Sequence, residues 1–269
     1  MVGVTSMDAL SWRRFTTSTL SFLCATAHYN WCIRHEMFLI TRIERLLHDM
    51  RGRPSICVDV GMNDGFYTMM MAAGGCAVHS FEVQPTCIRI AQLALRLNGF
   101  ENNVTLHNRP VLGTHDEVTT IAMGGEMSGC DSGFHVRGRL GQTIGHHRQR
   151  LTTTPSFRTF GIDSLLIDRR QRIDVMKIDA EMSDFAVLAG SVDMIRHRRI
   201  GTIFMEVHRV EMHRYLKPKN IDVVMALFRS GYRATFIGDV DCGNATSPTQ
   251  FWDILRRLDR TCVDAVFYS

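Results

Sequence analysis

From Ser55 onward, short apolar runs alternate with segments whose apolar residues recur at helical spacing, and this rhythm restricts the chain to few architectures. Residues 56–60, 77–82, 104–107, 173–178 and 202–207 read as buried strands. Helices are expected at 67–73, 85–98, 183–196 and 221–229, and two late strands at 232–237 and 262–268 flank a helix at 251–258. Pro85 at one helix start and Asn98-Gly99 at its end follow the usual asymmetry of helix termini. Strands alternating with helices predict a mainly parallel sheet covered on both faces, because each crossover returns across the sheet as a helix. The expected fold class is α/β: a Rossmann-like, doubly wound sheet of seven strands, the last two forming an antiparallel edge.

The flanks of this rhythm set the domain boundaries. Phe38, Leu39, Ile43, Leu46, Leu47 and Met50 share one helical face, and Arg51-Gly52-Arg53-Pro54 stops that helix. Residues 1–54 are therefore read as an N-terminal helical extension and 55–269 as a single domain. At about 124–155 the pattern gives way to Gly, His, Arg and Ser, which predicts a long loop serving as a lid or a substrate-specific insertion. The net charge of +4 comes from arginines spread along the chain, so no nucleic-acid partner is expected.

No apolar run is long enough to span a bilayer. Eight cysteines without a C-x-x-C pair, several inside apolar runs, read as free thiols and favour a cytoplasmic setting. Against this, Arg13-Arg14 precede a hydroxylated stretch and then residues 20–27, which end in an A-x-A pattern. Secretory or organellar targeting is thus the alternative to a peripheral helix there.

The chemistry centres on Val58-Asp59-Val60-Gly61-Met62-Asn63-Asp64-Gly65, a Gly-rich turn between a strand and a helix. Such a turn brings backbone close to a ligand. Gly61 and Gly65 are spaced G-x-x-x-G, so the dinucleotide fingerprint G-x-G-x-x-G is absent. Glu82 closes the next strand, beside the turn in this topology, where a carboxylate can accept from both ribose hydroxyls of a nucleoside.

The segments VDVGMNDGFYT, HSFEVQP and LNGFENNVTLHN, then GIDSLL, IDVMKIDAEMSDFAVLAG and IFMEVH, resemble the FkbM-type methyltransferase family over roughly 55–208. The resemblance implies a class I methyltransferase that uses S-adenosylmethionine to methylate a hydroxyl group. It makes Asp59, Gly61, Asn63, Gly65, Glu82, Asn108 and Asp179 the candidate cofactor contacts. Two departures stand out. The family pattern D-x-E-G becomes Asp179-Ala180-Glu181-Met182, and F-E-P becomes Phe81-Glu82-Val83.

On the acceptor side, Lys177, Asp179 and Glu181 share parity, as do Glu206 and His208 on the following strand. Asp179, Glu206 and His208 are the candidate catalytic residues, with His208 suited to general base because it titrates near neutrality. The bland alternative has Asp179 capping the next helix and Glu206 pairing with Lys177. A second reading, not favoured, has Asp179, Glu206 and His208 bind a divalent metal that orients an acceptor diol. The expected partner is a small-molecule or glycan acceptor. N-methylation and a non-catalytic scaffold are the competing functions. His146 and His147 are read as exposed, and Met69-Met70-Met71 as core.

Overall fold

The computed structural model describes residues 12–124, 135–137, 151–153, 155–165, 168, 171–181, 183–207, 218–238, 242–258 and 262–269. Its centre is an eight-stranded sheet. Strands β3 (Ile56–Val60), β4 (Ala77–Phe81) and β5 (Val104–His107) run to one side of β10 (Ile173–Ile178). On the other side lie β11 (Ile200–Glu206), β14 (Cys262–Tyr268), β12 (Arg233–Gly238) and β13 (Asn244–Ala245), in that spatial order. Strands β5, β4, β3, β10 and β11 pair in parallel, while β14 is antiparallel to both β11 and β12. The seven expected strands are all present, and β13 adds a two-residue edge. The two closing strands form the expected antiparallel pair on that side, with β14 inserted between β11 and β12.

All six residues of β10 are buried, as a strand covered on both faces requires. One core packs α5 (Asp184–Ala189), α6 (Val192–Arg196), α7 (Pro218–Arg229) and α8 (Pro248–Arg257) on one face of the sheet. The opposite face receives α3 (Phe66–Ala73), α4 (Pro85–Asn98) and α2 (Met37–Asp49), with Leu39, Ile40, Ile43 and Leu47 of α2 buried. Pro85 opens α4 and Gly99 closes it with φ 70°, as the termini predict. The helix expected over 183–196 is broken in two at Gly190 and Ser191, and Gly190 passes so close to Leu112 that a Cβ would lie 2.1 Å from its carbonyl oxygen.

The N-terminal extension is not wholly helical. Strands β1 (Trp12–Thr16) and β2 (Ser21–Ala25) form an antiparallel hairpin ahead of α1 (Thr26–His35) and α2. Phe22 is fully buried against Phe15 and Phe66, and Asn98 of α4 exchanges two hydrogen bonds with the Leu23 backbone. The hairpin is thereby part of the core on that face, where a peripheral helix was expected.

Within the expected loop at 124–155 stand β7 (His135–Arg137) and β8 (Leu151–Thr153), which join the flanking β6 (Val118–Gly124) and β9 (Ser156–Arg158) in a second, antiparallel sheet. His146, His147 and most of that segment lie outside the described residues. The reading of cysteines in apolar runs as free thiols is corrected too, since Cys57 and Cys76 are joined by a disulfide. The thiol argument for a cytoplasmic setting goes with it. Among the described residues no helix is long and apolar enough to cross a membrane.

Candidate functional site

The turn after β3 is held by the chain itself. Gly61 and Met62 donate to the Phe81 carbonyl at 3.0 and 3.1 Å, and Asp179 donates to the Val60 carbonyl at 2.9 Å. Three parallel strands are thereby tied together where they leave the sheet. Gly61 adopts φ 78°, and a Cβ there would lie 1.8 Å from the Asp179 carbonyl oxygen. Its lack of a side chain makes room for β10. Asn63 and Gly65 also take positive φ, and α3 starts at once behind them.

Glu82 follows β4 directly and reaches back to this turn. Its Oε1 accepts from the backbone amides of Val83 and Gln84, both at 2.8 Å, and its Oε2 accepts from the Asn63 amide at 3.1 Å. A carboxylate offers about four acceptor positions, two on each oxygen. Oε1 is therefore filled, and one position remains on Oε2. The residue is 7% exposed, and burial raises its carboxyl to about 7 against the opposing pull of the Gln84, Asn63 and Val83 amides. Asn108, a candidate contact, instead donates its side-chain amide to the Glu82 and Val83 carbonyls at 2.8 and 3.0 Å. It fixes the backbone that carries Glu82.

Asp59, another candidate contact, supports the turn from below. It has no exposed surface, and Thr68 of α3 donates to its Oδ2 at 2.7 Å while sharing a 2.8 Å hydrogen bond with Ser80 of β4. The trio pins α3 to two strands beneath the turn. Thr68→Val keeps the shape but removes the donor, and is expected to cost about 1–3 kcal/mol, read as a lower urea midpoint at unchanged slope. A midpoint equal to that of the parent protein would show that this bond adds no stability.

At the ends of β10 and β11 a second group of ionisable residues meets. Lys177, 4% exposed, donates to Asp179 Oδ2 at 2.9 Å, and its Nζ stands 4.7 Å from the centre of the Tyr67 ring. Tyr67 in turn donates to Glu36, between α1 and α2, at 2.5 Å. Burial alone would lower Lys177, but Asp179, Asp59 and Glu36 outweigh it and hold the ammonium well above its usual range. Glu206 is pushed far up, first by burial and then by the charge of Asp179 and a hydrogen bond to it. A hydrogen bond between two carboxyl groups needs one proton, so the pair holds one between them.

Asp179 and Glu206 thus converge as expected. The alternative pairing of Lys177 with Glu206 is corrected, because Lys177 holds Asp179. Among the described residues no side chain caps α5 at Ser183, and Asp184 in its first turn accepts from the Ala180 amide at 2.8 Å, tying down the segment that leaves β10. His208 and Met182 lie outside the described residues. Among the described residues there is no group of three or more His, Cys, Asp or Glu arranged to hold a metal ion. Two members of this network escaped the sequence reading: Glu36 and Asp264, whose register partner is Glu206. Asp264 carried a visible signal, a charged residue inside the apolar run 262–268.

A parallel sheet that tucks one antiparallel strand beside its last parallel one, with a glycine turn and an acidic strand tip at its carboxyl edge, is the architecture of a class I methyltransferase. The family model described as the methyltransferase FkbM domain matches residues 59–234, and the chain belongs to that family. Among solved structures, the METTL16 MTase domain is similar at 12% identity and TM-score 0.45, covering 86% of this chain and 66% of that one. WbdD is similar at 12% identity and TM-score 0.44, covering 88% and 40%. An rRNA methylase from Streptococcus thermophilus is similar at 13% identity and TM-score 0.46, covering 85% and 94%. This chain therefore spans less than two-thirds of each of the first two chains. No curated protein matches the sequence.

Proposed function

We propose that the protein transfers a methyl group from S-adenosylmethionine to a hydroxyl oxygen of a small molecule or glycan. The observation that carries the cofactor assignment is Glu82. A buried carboxylate stands at the tip of β4, hydrogen-bonded to the 61–65 turn, with an acceptor position left on Oε2 for a ribose hydroxyl. These residues fit a nucleoside. Glu82 would hold the ribose, Gly61, Asn63 and Gly65 would bring backbone to the ligand, and Asn108 and Asp59 would hold the strand tips in place. The cofactor, when bound, supplies an electrophilic methyl carbon.

The acceptor end is assigned to Asp179, Glu206 and His208. Methylation of an alcohol needs the hydroxyl oriented for in-line attack and relieved of its proton as the new bond forms. Asp179 accepts from Lys177, which balances its charge, and shares a proton with Glu206. His208, two residues beyond Glu206, keeps its assignment as general base. Hydroxyl specificity is supported by the family resemblance.

Titration of the full chain with S-adenosylmethionine, S-adenosylhomocysteine and NAD by calorimetry tests the reading. Saturable binding of the two sulfur nucleosides and none of NAD is expected. A folded protein that binds neither sulfur nucleoside would remove the assignment and leave a scaffold of methyltransferase fold.

A further inference from the structure

We infer that Val83 restricts Glu82 to a single ribose hydroxyl, so that the site grips one hydroxyl of the nucleoside and is indifferent to the other. The inference rests on the cofactor reading above and deepens it. A ribose presents two neighbouring hydroxyls, and a carboxylate that receives both offers one position on each oxygen. Here Oε1 is already filled by two amides at 2.8 Å, Val83 and Gln84, while the Asn63 amide takes one position on Oε2. Only Oε2 can accept another donor. The expectation that Glu82 takes both hydroxyls is thereby replaced.

The decisive donor is the Val83 amide, because it stands where the family pattern has proline. Proline has no N–H. With proline at 83, Oε1 would keep only the Gln84 amide, and one position would open on each oxygen. The Val83 amide is also held in its place. Asn108 donates to the carbonyls of both Glu82 and Val83, and Gln84 leads into α4 at Pro85. The peptide between residues 82 and 83 therefore has no freedom to turn its N–H aside when a ligand arrives.

The test is calorimetric and independent of turnover. S-adenosylhomocysteine and its 2′-deoxy and 3′-deoxy analogues are titrated into the full chain and into Val83→Pro. In the parent protein one deoxy analogue is expected to bind within about threefold of S-adenosylhomocysteine, and the other at least roughly tenfold more weakly, the usual worth of a hydrogen bond to a charged group. In Val83→Pro both deoxy analogues should fall at least roughly tenfold below S-adenosylhomocysteine. Equal losses for both analogues in the parent protein would overturn the inference, since Glu82 would then serve both hydroxyls despite Val83. Parent-like binding of both would overturn it as well. Absence of S-adenosylhomocysteine binding altogether would instead remove the cofactor reading itself. Should proline prevent folding, the two analogues in the parent protein still decide.

Discussion

Gly61→Ala is expected to destabilise the protein by about 3 kcal/mol or more and to abolish nucleoside binding. Two costs add. Holding a non-glycine residue in the left-handed region costs about 1–2 kcal/mol. The new methyl group would then lie 1.8 Å from the Asp179 carbonyl oxygen, a backbone atom that cannot rotate away. Relieving the contact means moving the end of β10 away from β3, against the hydrogen bonds that tie Val60, Phe81 and Asp179 together. Overpacking of this kind costs about 1–3 kcal/mol and sometimes more. It also displaces Asp179 and Asn63, at the two halves of the site. Gly75→Ala is the control: its φ is 93°, but nothing stands within 4 Å of the new Cβ, so only the conformational cost applies. Urea midpoints of the two variants separate clash from strain. If Gly61→Ala lost no more stability than Gly75→Ala, the turn would be looser than its contacts require.

What could be read from the sequence follows from which signals are local. The strands of the parallel sheet are buried on both faces and appear as apolar runs, so β3, β4, β10 and β11 were visible without partners. The glycine turn and Glu82 were visible because their spacing mirrors adjacent strand tips. Other features depend on distant chain. The place of β14 between β11 and β12 is a matter of pairing, which its own residues do not announce. The β1–β2 hairpin carries a Ser/Thr-rich and basic flank that resembles a targeting segment, and its burial depends on Phe66 and Asn98. Glu36 joins the site only because α2 packs against α3. Val83 was legible as a departure from the family pattern. Its consequence, an occupied Oε1, became visible only with the direction of its amide.

Affinity for S-adenosylhomocysteine is expected to rise roughly tenfold between pH 6 and pH 8 and then to level off. Glu82 sits at about 7 because burial disfavours its charge more than the Gln84, Asn63 and Val83 amides favour it, and Asp59 adds to the rise. A proton and a ribose hydroxyl compete for the same position on Oε2, so binding must displace the proton and weakens below the carboxyl's pKa. The stability of the empty protein runs the other way. The raised group contributes stability that is complete below about 4.5, its ordinary value, and is lost as pH climbs through about 7. The thermal shift produced by a fixed nucleoside concentration should therefore grow with pH while the melting temperature of the empty protein falls. Glu181 also titrates near 7, raised first by burial and then by Asp179, Asp184 and Glu82, and could mimic the binding profile. Glu82→Gln separates the two. It removes the titrating group, can satisfy only two of the three amides with its single oxygen, and should weaken binding roughly tenfold to a hundredfold. Its affinity should no longer vary between pH 6 and 8. If the slope survives in Glu82→Gln, Glu181 is its source, and the ribose does not meet Glu82.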